Sequence, residues 1–403
     1  MKTRSTYQRV ICACCFLFLF TNIGLPSSSF SVYQPFIAQM VGDASASFVV
    51  AARTGTSLAC MLLVGLWYRR LDCRLGVFLA TLLTALGFLL YSQAHELVLL
   101  CVAAAVTGAG YGLGGMVGMT LLIGRWYSDR VGTAVGIATM GSGFASLAVP
   151  LAATGIINTL GLSWSFAAEA ALAAAVGALV FVLLRNQPDE EAPSYTKDLK
   201  GSAPSPQAAP PDKGPVLSTS LRLVMLFGMV LIGAVSVVGQ TYLSILMTTS
   251  GFDHYFAATM LSVNGMCLMV AKGVNGWVFD KVGRRRGSAI FFAVFLAGLA
   301  MLCFAWTGSA VLAVAGSALM GIGVALATVG ISVWSIDLSN PPERPALVKN
   351  MQVCYAAGSF LFNLVPGALA ELTGTYESTY VACLAMAAVC AACVIGVYRR
   401  LGR

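Results

Sequence analysis

The sequence predicts an all-α membrane protein: twelve transmembrane helices arranged as two pseudo-symmetric six-helix bundles. Three observations lead there. Hydrophobic residues make up 58% of the chain and charged residues only 10%, with a mean hydropathy of +0.83, far from a soluble domain's composition. Apolar runs of about 20 residues, the length that crosses a bilayer, recur from end to end. Lys and Arg are confined to alternate connecting segments, as the positive-inside rule requires of one topology.

The runs fall near residues 10–38, 45–68, 75–93, 97–123, 132–157, 163–184, 221–248, 256–279, 288–306, 309–334, 346–370 and 377–398. The first follows Lys2, Arg4 and Arg9, as a secretion signal would. It is too long for a signal core, holds Pro26 and Pro35, and lacks a small-residue cleavage site, so it reads as a retained first helix.

With the amino terminus placed in the cytoplasm, Arg69, Arg70, Arg74, Arg125, Arg130, Arg185, Arg222, the Lys281 to Arg286 cluster, Arg344, Lys349, Arg399, Arg400 and Arg403 all fall inside. The outer loops then hold Asp43, Glu96, Asp253, Glu371 and Glu377, with neither Lys nor Arg. The expectation is a multi-pass protein of the cell's inner (plasma) membrane with both termini cytoplasmic. The net charge of +8 then reflects topology and gives no reason to expect nucleic acid as a partner.

One segment interrupts the apolar pattern. Asn186 to Pro215 carries seven of the fourteen prolines, with Asp189, Glu190, Glu191 and three lysines, and has too little apolar surface to bury. It reads as a cytoplasmic linker, giving bundles at 1–185 and 221–403 with 186–220 between them. The halves resemble one another: Gly65 to Arg70 closes helix 2 as Gly276 to Lys281 closes helix 8. Two such repeats related by an axis along the membrane normal are a transporter architecture.

Reactive chemistry is absent from the pattern. The twelve cysteines are scattered through helices, and the CxxC of Cys390 and Cys393 lies deep in the last one, where a soft apolar role fits better than redox or metal work. Gly110 to Gly115 spells GxGxxG without the strand-then-helix setting that a nucleotide fingerprint needs. His95 and His254 sit in outer loops. No enzyme activity, metal or cofactor is expected.

The stretch Lys272 to Arg286, KGVNGWVFDKVGRRR, carries the most information. It resembles the GxxxD[RK]xG[RK][RK] signature of the major facilitator superfamily, which that family places between helices 2 and 3 and again between 8 and 9. Gly276, Asp280, Lys281, Gly283, Arg284 and Arg285 match it, and Gly65 and Arg69 begin the first-half copy. Physically, Gly276 admits a neighbouring helix, Asp280 accepts from a helix amino terminus or an arginine, and the basic cluster holds the loop at anionic headgroups. The first-half copy departs from the signature, with Arg69 where the acid is expected, then Asp72 and Arg74.

A second stretch narrows the resemblance. Arg125-Trp126-Tyr127-Ser128-Asp129-Arg130, then Gly136, Gly141, Gly143 and Pro150, is similar to the loop and fifth helix of the monocarboxylate transporter and oxalate/formate antiporter group, as GLSWSF from Gly161 to Phe166 is to its sixth-helix entry. The resemblance implies a secondary transporter of small organic anions, monocarboxylates foremost, working by alternating access as an anion exchanger or ion-coupled carrier. It also implies a monomeric unit whose partners are the organic anion and the bilayer. Drug exporters carry an Arg four residues before a Gly in helix 4, where this chain has Ala104 and Gly108. An exporter of apolar or cationic compounds, or a non-transporting membrane sensor, is the alternative.

Ionised groups inside a bilayer cost about 2.5–3.5 kcal/mol on insertion scales and are candidates on that ground. Three stand out: Arg53 in helix 2, Glu169 in helix 6 and Lys272 in helix 8. Lys272 lies four residues before Gly276, where the resemblance places a substrate-binding cation; the bland reading is a snorkelling lysine. The group's proton-coupled members place an Asp one turn earlier, and this chain has Leu268. Arg53 is the candidate second cation or gate, against a snorkelling arginine or a structural pair with Glu169; Glu169 is itself the candidate for coupling, against a buried acid that is neutral or paired. Tyr33 and Gln34 in helix 1, Gln240 and Tyr242 in helix 7, Asn264 in helix 8 and Asn363 in helix 11 complete the candidate cavity, with the helix 1 and helix 7 pairs expected to face each other.

Overall fold

The structure of the protein is a computed structural model that describes residues 2–127, 131–186, 217–339 and 343–402. Twelve helices among these residues are long and apolar enough to cross a membrane: α1 (Tyr7–Val41), α2 (Asp43–Arg70), α3 (Cys73–Gln93), α4 (Leu97–Trp126), α5 (Ala134–Leu160), α6 (Leu162–Leu183), α7 (Thr219–Thr241), α8 (His254–Phe279), α9 (Arg284–Leu302), α10 (Ala310–Ser335), α11 (Ala346–Thr373) and α12 (Glu377–Arg400). The expected all-α fold and the helix count are both observed. Most of the expected linker, from 187 to 216, and Ser128 to Arg130 lie outside the described residues.

Short polar residues start several helices. Asp72 caps α3 by accepting from Leu75 N at 2.7 Å, and Asp253 caps α8 by accepting from Phe256 N at 2.6 Å, which satisfies amide donors that have no partner within the helix. Asp72, out of place in the signature, thus has a local structural role. Gly283 joins α8 to α9 with φ +87°, a conformation that side chains resist.

Four of the apolar runs are interrupted, a correction to their reading as unbroken helices. α1 passes through a π-helical turn from Phe20 to Ser29 containing Pro26, since proline removes a donor and crowds the preceding turn. α4 breaks at Gly114 and Gly115. The helix of α7 ends at Thr241 and resumes as Leu243–Thr249; the Tyr380 hydroxyl takes up the Gly239 carbonyl at 2.7 Å beside that break. α11 stops at Phe362 and restarts at Pro366. Asn22 ties the first two breaks together: its Nδ2 donates to Thr81 Oγ1 at 3.0 Å and to the Gly114 carbonyl at 3.2 Å, while its Oδ1 accepts from Thr84 at 3.1 Å.

Helix packing repeats between the halves. α2 lies on α4 as α8 lies on α10, α3 on α6 as α9 on α12, and α1 on α5 as α7 on α11. Across the halves α2 meets α11 and α5 meets α8, the same pair of contacts exchanged by the pseudo-symmetry. The outward surface is apolar, with Leu62, Leu63, Val182, Leu223 and Val311 exposed, as a lipid-facing belt requires.

The buried cores show where the halves touch. One core joins them, with Phe30, Val49, Phe88 and Phe166 packed in one cluster with Tyr242, Leu246, Phe295 and Tyr380. A second, with Ile11, Phe18, Tyr68, Met119 and Trp126, belongs to the first half alone, and a third, with Met225, Phe279, Trp334 and Tyr398, to the second. The shared core lies at the end away from the termini and the separate ones at the terminal end. Among the described residues, then, the halves share a buried core at one face, the sealed one, and have separate cores at the other, the parted one.

Arg125, Trp126 and Tyr127, where α4 ends, tighten the parted end of the first half. Trp126 Nε1 donates to the Arg185 carbonyl at 3.0 Å, Tyr127 Oη to the Gln8 carbonyl at 2.6 Å, and Tyr7 stacks on Trp126 with ring centroids 5.2 Å apart. Burial pushes the Tyr127 hydroxyl up to about 12, so it remains a donor there.

Candidate functional site

At the sealed face, polar groups from both halves form a latch. Ser47 of α2 accepts from Tyr242 Oη at 2.9 Å and from Gly367 N at 2.7 Å. Tyr376 Oη donates to Asp43 Oδ1 at 2.6 Å, and Glu371 Oε1 accepts from Ala44 N at 2.9 Å. The Glu371 carboxylate thereby sits at the amino terminus of α2, an arrangement worth about 0.3–1 kcal/mol near a surface. Burial, then donation to Asp43, raises the Tyr376 hydroxyl well above the ordinary tyrosine value. Phe36 stacks on His254 at 4.7 Å beside it.

Toward the centre, Ser27 and Ser31 of α1, Ser146 and Pro150 of α5, Gln240 of α7, and Leu261 and Asn264 of α8 line a cavity of about 20 Å³. Ser31 Oγ donates to the Gln240 and Thr241 carbonyls at 2.7 and 2.8 Å. Gln240 Nε2 donates to Asn264 Oδ1 at 3.0 Å, and Asn264 Nδ2 to the Ser317 carbonyl at 3.0 Å. On the terminal side of this cavity α5 and α8 touch, since a methyl placed at Gly265 would meet Ser146 at 2.5 Å and one at Gly143 would meet Met269 at 3.1 Å.

Gly265, Met269 and Lys272 follow one another at helical spacings of four and three, so they share a face of α8. That face is the one turned to α5, and Lys272 stands one turn nearer the parted end. It is half-buried, and among the described residues it has neither a hydrogen-bond partner nor a carboxylate.

Arg53 and Glu169 do not pair with one another in this conformation. Arg53 is 5% exposed, with its guanidinium 4.8 Å from the centre of the Phe30 ring. Its Nη1 has no hydrogen-bond partner among the described residues. Glu169 instead accepts from Tyr33 Oη at 2.8 Å, and Ser165 lies 2.8 Å from the same hydroxyl.

Several expected side chains point elsewhere. Tyr33 turns into its own half, against Phe166 at 4.0 Å, and Tyr242 turns to Ser47, so the two do not face each other. Helices 1 and 7 meet through Ser31, a residue hidden from sequence reading because serine is unremarkable in a membrane helix. Gln34 is fully buried with both amide atoms lacking partners among the described residues. Asn363 Nδ2 donates to Ser359 of its own helix at 2.8 Å. Lys281 Nζ lies 4.4 Å from the Trp277 ring, and Arg284 and Arg285 open α9. Side chains at positions 276 and 280 lie outside the described set. Arg69 is exposed, and among the described residues no neighbouring element comes within 4 Å of where a Cβ at Gly65 would stand, so the first-half motif glycine meets no close helix among them.

The family model described as Major Facilitator Superfamily matches residues 11–286 and 226–402. Monocarboxylate transporter 12 of Rattus norvegicus is 25% identical over 354 residues, covering 81% of this chain and 72% of that protein. Probable inositol transporter 2 of Arabidopsis thaliana is 33% identical over 109 residues, 27% of this chain; the match spans only 18% of that protein's length. Among solved structures, the nucleoside transporter NupG superposes with a TM-score of 0.73 at 13% identity, over 97% of this chain and 99% of that one, which speaks to the fold alone.

Proposed function

The chain belongs to the major facilitator superfamily, and from that premise we propose that it carries small organic anions, monocarboxylates foremost, by exposing one site alternately to either side of a membrane. The family's members are transporters and not enzymes. Lys272 carries the anion reading: a half-buried ammonium without a counter-charge among the described residues, on the α8 face turned to α5 where the halves part. A carboxylate there forms a charge-assisted hydrogen bond, roughly twice as strong as a neutral one, and gains more as closure removes water. Similarity to a protein named a monocarboxylate transporter over 81% of the chain supports the substrate class.

The Lys and Arg distribution favours termini in the cytoplasm of a plasma or inner membrane, which makes the face with separate cores the cytoplasmic one. Lys272, Arg53 and the polar residues between the halves all belong to one chain, which favours a monomer as the working unit. Leu268 is buried where an acid would accompany Lys272 in proton-coupled relatives, which favours exchange of one anion for another.

The test is uptake of labelled pyruvate or lactate into proteoliposomes preloaded with unlabelled carboxylate. Lys272→Gln lowers uptake by about tenfold or more, the effect of losing one charge-assisted contact, while Lys272→Arg retains a measurable part. Unchanged uptake by Lys272→Gln would overturn the assignment.

A further inference from the structure

We infer that Arg53 and Tyr91 form a second carboxylate subsite, closed off in this conformation and reached from the latch side, so that an anion entering there meets Arg53 before it meets Lys272. The inference rests on the anion reading above and adds a sidedness that Lys272 alone does not give.

Two buried donors belong to side chains packed against Phe30. Arg53 Nη1 has no hydrogen-bond partner among the described residues, Tyr91 Oη faces Thr107 without a hydrogen bond of good geometry, and the two side chains are 5% and 2% exposed. The guanidinium lies 4.8 Å from the Phe30 centroid and the Tyr91 ring 5.6 Å from it. A ring face offsets only part of the cost of burying an ionised guanidinium, whereas a carboxylate satisfies both its charge and its fork of donors. Gln34 stands one helical turn beyond Phe30 on α1, and its buried amide also lacks partners among the described residues.

Depth along the helices orders the two cations. α2 and α8 both begin at the latch, at Asp43 and His254. At 1.5 Å per residue Arg53 lies roughly 15 Å along α2 and Lys272 roughly 27 Å along α8, so Arg53 is the nearer to the latch. Ser47, which holds Tyr242 over this region, precedes Arg53 by less than two turns on α2. Releasing the Tyr242 and Gly367 contacts to Ser47 uncovers the subsite.

The experiment measures half-saturation for pyruvate and oxalate from each face separately, in proteoliposomes of fixed orientation. Arg53→Gln should raise the value about tenfold at the latch face, or about 1.4 kcal/mol, and change it less than about twofold at the terminal face. Lys272→Gln should raise both. Tyr91→Phe deletes a hydroxyl that makes no well-formed hydrogen bond and should raise the latch-face value about threefold with little change in melting temperature, which preserves the test if Arg53→Gln does not fold. Equal changes at both faces, or none in either variant, would overturn the inference while leaving the anion reading intact. Absence of carboxylate exchange by the wild type would remove both. A chloride dependence of the wild-type value that Arg53→Gln abolishes would assign the pocket to an inorganic anion and overturn it as well.

Discussion

Tyr242, just past the end of α7, donates its hydroxyl to Ser47 of α2 at 2.9 Å across the two halves. The same Ser47 oxygen accepts from Gly367 N at 2.7 Å. Ser47→Ala therefore removes two bonds that exist only while this face is sealed, and leaves a buried amide unsatisfied. The loss should disfavour the sealed state by about 1–3 kcal/mol. Amide hydrogen exchange around residues 43–50 and 365–370 is expected to quicken about tenfold or more; unchanged exchange in both segments would contradict the latch.

Gly367 and Gly108 should separate conformational from structural effects. A methyl at Gly367 would stand 2.0 Å from the Asp43 carbonyl across the halves, and one at Gly108 would stand 2.3 Å from the Arg53 carbonyl within one half. Gly367→Ala is relieved by opening the latch, so transport should fall about tenfold with little change in melting temperature. Gly108→Ala has no such escape and should cost about 1–3 kcal/mol of stability, as overpacking does. Thermal unfolding beside transport rates distinguishes the two, and a matching loss of stability in both variants would refute the distinction.

The twelve spans were legible because hydropathy and charge are summed along a run, and each run is long. The helix breaks were less legible, because they are made between elements. Gly114 and Gly115 mark a break only once Asn22, some ninety positions away, is seen to bind the Gly114 carbonyl. The same holds for the polar residues. Nothing in the local sequence says that Tyr33 meets Glu169 and Ser165 within its own half, or that Ser31 and Ser47 carry contacts between halves. Lys272 was legible because a cation within an apolar run is conspicuous whatever surrounds it.

Asn22 offers a direct check on the origin of the breaks. It holds Thr81, Thr84 and the Gly114 carbonyl through three bonds in a fully buried setting. Asn22→Leu should destabilise the fold by about 2–4 kcal/mol, with faster exchange around residues 110–118. A melting temperature equal to the wild type would mean that Pro26 and the two glycines suffice to break the helices.

The pH response of the latch follows from Tyr376. Burial and donation to Asp43 hold its hydroxyl protonated beyond the ordinary tyrosine value, which is about 10. A group whose value is raised in the sealed state contributes fully below its ordinary value, and its contribution fades as pH rises through the raised one. Between about pH 7 and 9.5 this contribution should therefore stay constant. Tyr376→Phe should lower the sealed population by the same factor throughout that window. A distance probe between the start of α2 and the start of α12 reads this directly. A tyrosine-dependent opening that begins near pH 8 would show that the Asp43 bond does not hold the hydroxyl in its neutral form.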